Sequence, residues 1–406
     1  MPTQVEPHLR NEWSLLVFTA TTNLADAVTK VALPLLAASL TRSPTLVAGV
    51  AAMLSLPWLV TALHVGVLVD RLNRRGLMLA AELARLAAIG VAFVAYLTGT
   101  TSLPLIFGVA GVLGVAEVVA LTAAASIIPA AVAPIRRHKA TARITAVEYL
   151  CNGFLGAPVG GFLVAAGAGL ALGVTGLVYA AGALLLLVLT GNFAAKATER
   201  RSVHVEIRDG LNFLWQHRVL RTMALLVAVM AGAWNAWLAI LPLYVVAPGP
   251  LGFDARGYGL LLTCLGAGGV LGALLVGPVN RLIGRRWAMF ADLVGSFLLV
   301  AVPAVWANAW AVAAAAFAAG IGGTMWTVNA RLLGQELVPD HLLGRFNAAY
   351  RLVSWGAAPV AAALAGVLTE LAGFGVAFGF FAVLGALTVI PFFRVMTADA
   401  VKRARK

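Results

Sequence analysis

Gly66-Val-Leu-Val-Asp70-Arg71-Leu-Asn73-Arg74-Arg75 lies where one long apolar segment of this chain stops and the next begins. Three arginines and one aspartate interrupt a sequence that is otherwise mostly hydrocarbon. A basic cluster at the end of an apolar span holds that loop on the cytoplasmic side of a membrane. That rule gives no role to an embedded Asp70, nor to the glycine four residues before it.

Composition sets the class. Apolar residues make up 61% of the 406 residues and charged residues 11%, against about 45–50% and roughly 25% in soluble globular chains. Most of the chain consists of stretches of about 20 apolar residues, the length that crosses a ~30 Å hydrocarbon core as a helix. These stretches are continuous and rich in Ala, Leu and Gly, unlike the ~10-residue alternating strands of a membrane barrel. The first apolar segment is too long for a cleaved signal peptide and is broken by Asn23, Asp26 and Lys30, so it reads as a true span. The expected fold is an all-α membrane protein of twelve transmembrane helices, near 13–40, 45–69, 77–98, 103–132, 141–166, 170–193, 220–246, 257–279, 287–307, 310–337, 346–369 and 374–394.

With a cytoplasmic N-terminus, the cytoplasmic loops and tails hold 23 of the Lys and Arg residues and the outer loops hold only Arg42 and Arg256. This bias places both termini in the cytoplasm. It also accounts for the net charge of +13 as a basic, lipid-facing surface, without nucleic acid.

The chain repeats. Arg143-Ile-Thr-Ala-Val-Glu-Tyr-Leu-Cys-Asn-Gly-Phe-Leu-Gly-Ala-Pro158 is similar to Arg345-Phe-Asn-Ala-Ala-Tyr-Arg-Leu-Val-Ser-Trp-Gly-Ala-Ala-Pro359, and each follows a proline-bearing loop. Asn280-Arg281-Leu-Ile-Gly-Arg285-Arg286 echoes Asp70 to Arg75, with Asn for Asp and one residue inserted. The expectation is two parallel six-helix halves, 1–195 and 220–406, joined by a cytoplasmic linker at 196–219. In that linker Val205, Ile207, Leu211, Phe213 and Leu214 suit either a short helix on the membrane surface or a plain connector.

The G-x-x-x-D-R-x-x-R-R pattern at Gly66–Arg75 resembles the loop between helices 2 and 3 of the major facilitator superfamily. Glu82-Leu-Ala-Arg85 and Asp209-Gly-Leu-Asn-Phe-Leu are similar to the drug-efflux branch, which includes macrolide and enterobactin exporters. Gly156-Ala-Pro158-Val-Gly160-Gly161 resembles the antiporter signature of span five with altered spacing. The fourth span lacks the arginine of many drug antiporters and has Glu117. The resemblance implies the two-bundle major facilitator fold and proton-coupled export of amphipathic compounds. It also implies a gate formed by Gly66, Asp70, Arg71, Arg74, Arg75 and Glu82. There Asp70 would cap the start of the eleventh span, Gly66 would let backbones approach, Arg74 and Arg75 would anchor the loop, and Glu82 would supply a counter-charge. Asn280 would make a weaker version of the same contact.

Charge inside the membrane is costly and marks chemistry. In the first span Thr19, Thr22, Asn23, Asp26 and Lys30 recur at steps of three or four and share one helix face. Asp26 and Lys30 read equally as a neutralised i,i+4 pair or as a titrating carboxylate whose partner changes. Glu117 has no basic residue within a helical turn and reads as an unpaired carboxylate suited to carrying a proton. Asp26, Glu117 and Lys30 are therefore the proton-coupling candidates.

The second half supplies bulk rather than acids. Trp234, Trp237, Leu241 and Tyr244 share a face of the seventh span beside Asn235; Tyr244, near the span end, reads as part of an interfacial aromatic belt. The tenth span carries Thr324, Trp326, Thr327, Asn329, Arg331 and Gln335. In the superfamily spans one, four, seven and ten line the cavity. The substrate candidates are therefore Thr22, Asn23, Trp234, Asn235, Trp237, Trp326, Asn329 and Arg331, a tolerant aromatic and polar pocket.

No P-loop motif is present, so transport runs on a gradient or on a separate subunit. Gly266-Ala-Gly-Gly-Val-Leu-Gly272 lies inside the eighth span with no strand before it, and reads as helix packing rather than a dinucleotide site. Cys151 and Cys264 are single and in different spans, giving neither metal site nor disulfide. No cofactor and no enzymatic activity are expected. The expected protein is a monomeric, multi-pass plasma-membrane exporter handling protons and a small amphipathic substrate in contact with lipid. A lipid or lysophospholipid flippase or a siderophore exporter, using Arg331, is the alternative, and a non-transporting scaffold a weaker one.

Overall fold

The computed structural model describes residues 5–191, 193, 203–339 and 342–397. Among them there is no β-strand, only an isolated bridge between Val246 and Phe253. The helices are α1 (Val5–Leu40), α2 (Pro44–Val60), α3 (Ala62–Arg71), α4 (Arg74–Leu97), α5 (Leu103–Ala131), α6 (Arg137–Glu148), α7 (Gly156–Ala166) and α8 (Ala168–Val188). They continue as α9 (Val203–Gln216), α10 (Arg218–Val245), α11 (Ala255–Leu282), α12 (Arg285–Val305), α13 (Ala309–Leu337), α14 (Leu343–Trp355), α15 (Ala358–Leu387) and α16 (Val389–Val395). A π-helical turn, Tyr149–Leu155, links α6 to α7.

Ten helical runs among the described residues are long and apolar enough to cross a membrane. Two departures from the expected spans make this consistent with twelve. The second span is split, because Thr61 is a turn residue whose N–H and hydroxyl both return to the Pro57 carbonyl, at 2.7 and 2.8 Å. Pro57 itself has no N–H to give the preceding turn. The last run, Arg345–Val395, is 51 residues long. At 1.5 Å per residue that is about 75 Å, more than twice the thickness of a ~30 Å core. Gly373, at φ 84° and ψ 169°, turns the chain within it. Only glycine adopts that backbone without strain.

The caps are local chemistry. Asn73, Asp254 and Asn308 accept hydrogen bonds from first-turn N–H groups of α4, α11 and α13, each contributing about 1 kcal/mol.

The chain forms two compact units. One comprises residues 1–40 and 53–199, the other 41–52 and 200–406. The first has a core around Leu15, Phe18, Met78, Val118, Ile127, Leu186 and Phe193. At its α1 end, Glu12 accepts from Arg136 Nε at 2.7 Å and Arg143 Nη1 at 3.1 Å, and Asn11 Nδ2 donates to the Thr190 carbonyl at 2.8 Å. The second unit has a core around Leu220, Met223, Met289, Trp326, Phe346 and Phe392. The segment 41–52 belongs to it through Glu370, whose carboxylate accepts from Ser43 Oγ (2.7 Å) and Thr45 N (3.1 Å). Helix α9 packs into the same unit, with Gly210 against the Arg345 carbonyl and Leu214 fully buried.

The pseudo-dinucleotide stretch Gly266–Gly272 is a packing surface. A Cβ on Gly268 would collide with the Phe317 carbonyl of α13, and one on Gly320 with the Leu265 carbonyl of α11. Bare backbone is what lets α11 and α13 touch. Gly277, on the same helix, would meet nothing within 4 Å among the described residues. Gly268→Ala is therefore expected to destabilise the detergent-solubilised protein by about 1–3 kcal/mol through overpacking. Gly277→Ala should be neutral or stabilising by up to about 1 kcal/mol through helix propensity. Thermal unfolding of the two variants in parallel checks this.

Candidate functional site

Five charged side chains meet inside the first unit. From α1, Asp26 accepts from Arg85 Nη2 of α4 at 3.0 Å through one oxygen, and from Tyr179 OH of α8 at 2.8 Å through the other. Arg85 Nη1 donates to Glu82, one helical turn earlier, at 2.7 Å. The guanidinium also lies 5.5 Å from the centre of the Tyr179 ring. One turn beyond Asp26, Lys30 Nζ donates to Glu117 of α5 at 2.9 Å. Glu82 is 0% exposed, Arg85 1% and Asp26 5%. Lys30 is the wettest member, its side chain 39% exposed.

Burying charge is tolerable only when it is paired and hydrogen-bonded. Here the pairing is nearly complete: three carboxylates face two cations, which leaves one negative charge uncompensated. One oxygen of Glu82, Oε2, is buried without a hydrogen-bond partner.

This geometry corrects two expectations. Glu117 is not unpaired; its partner comes from another helix, which spacing along its own helix does not show. Asp26 and Lys30 are not an i,i+4 pair; each finds a partner across the bundle, because α1 packs against α5 and α8 and the long Arg85 side chain reaches it from α4. Thr22 and Asn23 are buried too. Thr22 Oγ1 donates to the Phe18 carbonyl, and Asn23 donates to Thr19 and accepts from Asn152 of the π-helical turn at 3.3 Å. The polar stripe of α1 is thus an interior seam.

Around the opening motif, Arg75 Nη2 donates to the Leu187 carbonyl at 2.8 Å and the Arg74 backbone N–H to the Phe193 carbonyl at 3.2 Å. Arg71 is exposed. Glu82 is no counter-charge for this loop: it lies two turns into α4, committed to Arg85. A Cβ on Gly66 would meet nothing within 4 Å among the described residues. The Asp70 side chain lies outside what the structure describes.

In the second unit, Asn329 is fully buried and forms a reciprocal amide pair with Asn280 of α11, at 2.9 and 3.1 Å, while also donating to the Met325 carbonyl. Asn280 is therefore a partner of span ten. The pairing works because a carboxamide offers both donor and acceptor to a second carboxamide. Trp237 and Trp326 are buried at 0% and 3% exposure. Tyr244, read as an interfacial residue, is buried, with its hydroxyl donating to the Pro303 carbonyl at 3.2 Å. Trp234 and Asn235 are half-buried, and Arg331 is exposed.

Sequence reasoning missed three participants. Arg85 was visible as a cation in mid-span but was not assigned as a partner of Asp26. Tyr179 carried no signal. Asp292, buried in α12, contradicts the reading of a second half without acids. Its signal was a lone carboxylate inside an apolar span.

Asn280→Ala leaves the buried Asn329 amide without its partner, and is expected to cost about 1–3 kcal/mol. The double variant Asn280→Ala/Asn329→Ala should cost less than the sum of the two singles. A double-mutant cycle by thermal unfolding checks it; additive effects would mean that the amides do not pair.

The chain matches the family described as transmembrane secretion effector (MFS_3) over residues 8–405. It is 28% identical over 382 residues to the multidrug efflux pump Tap of Mycolicibacterium fortuitum, covering 88% of this chain and 89% of that protein. Its fold is similar to that of a mutant of the nucleoside transporter NupG, with TM-score 0.75, 12% identity, and 98% and 100% of the two chains covered. A bacterial homologue of the lysosomal transporter Spinster gives TM-score 0.70 at 12% identity, with 98% of each chain covered. The all-helical fold, the pattern of spans and the match along nearly the whole chain agree: this protein is a multi-pass membrane transporter of the major facilitator superfamily, in the transmembrane secretion effector family.

Proposed function

We propose that the chain is a proton-coupled exporter of drugs or amphipathic metabolites. In this reading it works in the plasma membrane by alternating access as a monomer, with both termini cytoplasmic. The observation that carries the reading is the buried cluster of Asp26, Glu82, Glu117, Arg85 and Lys30. Three acids against two bases is one proton short of neutrality, and the cluster is closed to water at Glu82, Arg85 and Asp26 but reaches it at Lys30. Binding a proton there removes the uncompensated charge; losing it restores a charge that has to be re-paired. An equilibrium between two pairings of Lys30 around a fixed Arg85 is how proton occupancy would bias two transporter states. Similarity to a multidrug efflux pump supports the outward direction and the substrate class.

The energy suffices. One elementary charge moved across 100 mV yields ~2.3 kcal/mol, enough for about fiftyfold accumulation per proton.

Asp26→Asn and Glu117→Gln keep side-chain shape while removing a titratable group. Both are expected to abolish uphill efflux of ethidium from proteoliposomes carrying an imposed proton gradient, while downhill movement persists. Full uncoupler-sensitive transport in both variants would make the cluster structural and end this reading. Lipid or siderophore movement in the same vesicles, with no movement of ethidium, would favour the flippase or siderophore alternative.

A further inference from the structure

Each unit carries an apolar groove that starts beside a basic loop. In the second unit a depression of about 520 Å³ lies between α12 and α13. The small residues Ala291, Gly295 and Ala318 leave it open. A Cβ on Gly295 would sit 2.8 Å from Ala319 Cα, so the two helices touch at its base. In the first unit a depression of about 680 Å³ lies against α3, α4 and α5. No residue lining either groove is charged, and the Trp287 indole is the one polar side chain among them.

The two grooves hold equivalent places in the repeat. Counted from the first residue of each helix, Ala291 and Gly295 of α12 stand where Ala80 and Ala84 stand in α4. Likewise Ala318 and Ile321 of α13 stand where Val112 and Val115 stand in α5. The halves differ in their buried polar groups but share this feature of their surface.

The loops at the heads of the grooves are alike as well. Arg75 donates to the Leu187 carbonyl, Arg285 to Glu336 and Arg286 to the Phe393 carbonyl. These arginines tie their loops to the protein. The first arginine of each loop, Arg71 or Arg281, is exposed and hydrogen-bonds to no described residue. Each is followed by an exposed leucine, Leu72 at 47% and Leu282 at 83%. A free guanidinium next to an exposed leucine suits the boundary between headgroups and hydrocarbon. Leu68, three residues before Arg71, lines the first groove, and Ile283, two residues after Arg281, lines the second.

Length and charge identify the occupant. Trp287 and Leu298, at the two ends of the second groove, are eleven residues apart, or about 16 Å along a helix. That is close to half of a ~30 Å hydrocarbon core, the depth of one leaflet. An exposed tryptophan belongs at the interface, where the groove begins. With Arg285 on Glu336, the other two arginines of this loop have no acid beside them among the described residues. Basic residues at the mouth of an apolar crevice favour an anionic headgroup over a zwitterionic one.

We propose that each groove holds an acyl chain of one anionic phospholipid, with its phosphate on the free arginine at the groove head, Arg281 in the second unit and Arg71 in the first. The proposal rests on the membrane fold alone and is independent of the export reading.

The test is native mass spectrometry of purified, delipidated full-length protein titrated with phosphatidylglycerol or with phosphatidylcholine of the same chains. Wild type is expected to take up two phosphatidylglycerol molecules, each about fivefold more tightly than phosphatidylcholine, the effect of one arginine per headgroup. Arg281→Gln should lose that preference at one site and Arg71→Gln/Arg281→Gln at both, with phosphatidylcholine binding within about twofold of wild type. Ala318→Phe fills the second groove, keeps the arginines, and should lose one lipid of either kind. Unchanged thermal unfolding without lipid shows that a variant is folded; should Ala318→Phe not fold, Val294→Trp blocks the same groove from its exposed edge. Equal affinity for the two lipids in wild type, a preference that survives in the double arginine variant, or a blocked groove that still takes up both lipids would each overturn the proposal. So would a dimer that forms on delipidation and is lost in the blocked-groove variant, which would give the groove to a second copy of the chain.

Discussion

Arg85 holds two carboxylates from two helices on one guanidinium, and the rest of the first unit is arranged around that fact. Asp26 brings α1 to it, Glu82 lies on its own helix, and Tyr179 brings α8. A planar guanidinium can do this because its donors point along fixed, separate directions; a lysine in the same place could not bridge two acids with the same geometry. Removing Arg85 would strand two buried carboxylates, a change that costs several kcal/mol when pairs are fully desolvated. The Lys30–Glu117 pair is wetter and weaker, and can exchange more readily. The cluster therefore has a fixed centre and a loose end.

The second unit solves the same problem of polarity in hydrocarbon with almost no formal charge. Two carboxamides satisfy each other where α11 meets α13, and the one buried acid among the described residues accepts from a hydroxyl that itself accepts from an indole. The amide pair carries no charge, whereas the first unit's cluster gathers five charged side chains. The repeat visible in the sequence thus carries two different electrostatic regimes on similar helices.

What the sequence made legible follows from range. Span length and the basic loops are local properties, so the spans, the membrane class and the family resemblance could be read directly. The break at Gly373 lay where a boundary was expected. Partnerships across helices were not legible. Asp26 lies 59 residues from Arg85, and Lys30 lies 87 from Glu117, and nothing in a helix-period pattern says which faces will meet. The i,i+4 reading of Asp26 with Lys30 and the reading of an unpaired Glu117 failed for that reason. Asn280 shows the reverse: it was noticed as an imperfect copy of Asp70, but its role is set by Asn329, which lies on another helix. Trp237, Trp326 and Tyr244 could each have been pocket, belt or core, since an aromatic stripe looks the same in all three, and packing placed them in the interior.

The long-range pairing has a consequence for how the chain is made. Helix α1 is the least hydrophobic of the described spans, and it carries Asp26 and Lys30 toward the bilayer before their partners have been translated. At about 5–20 residues per second, Arg85 follows Asp26 by seconds, and Glu117 comes later still. Until then α1 holds charges that lipid disfavours. The first helix must therefore wait in or beside the insertion machinery, and its stable residence in the membrane begins only when the third and fourth spans arrive to neutralise it.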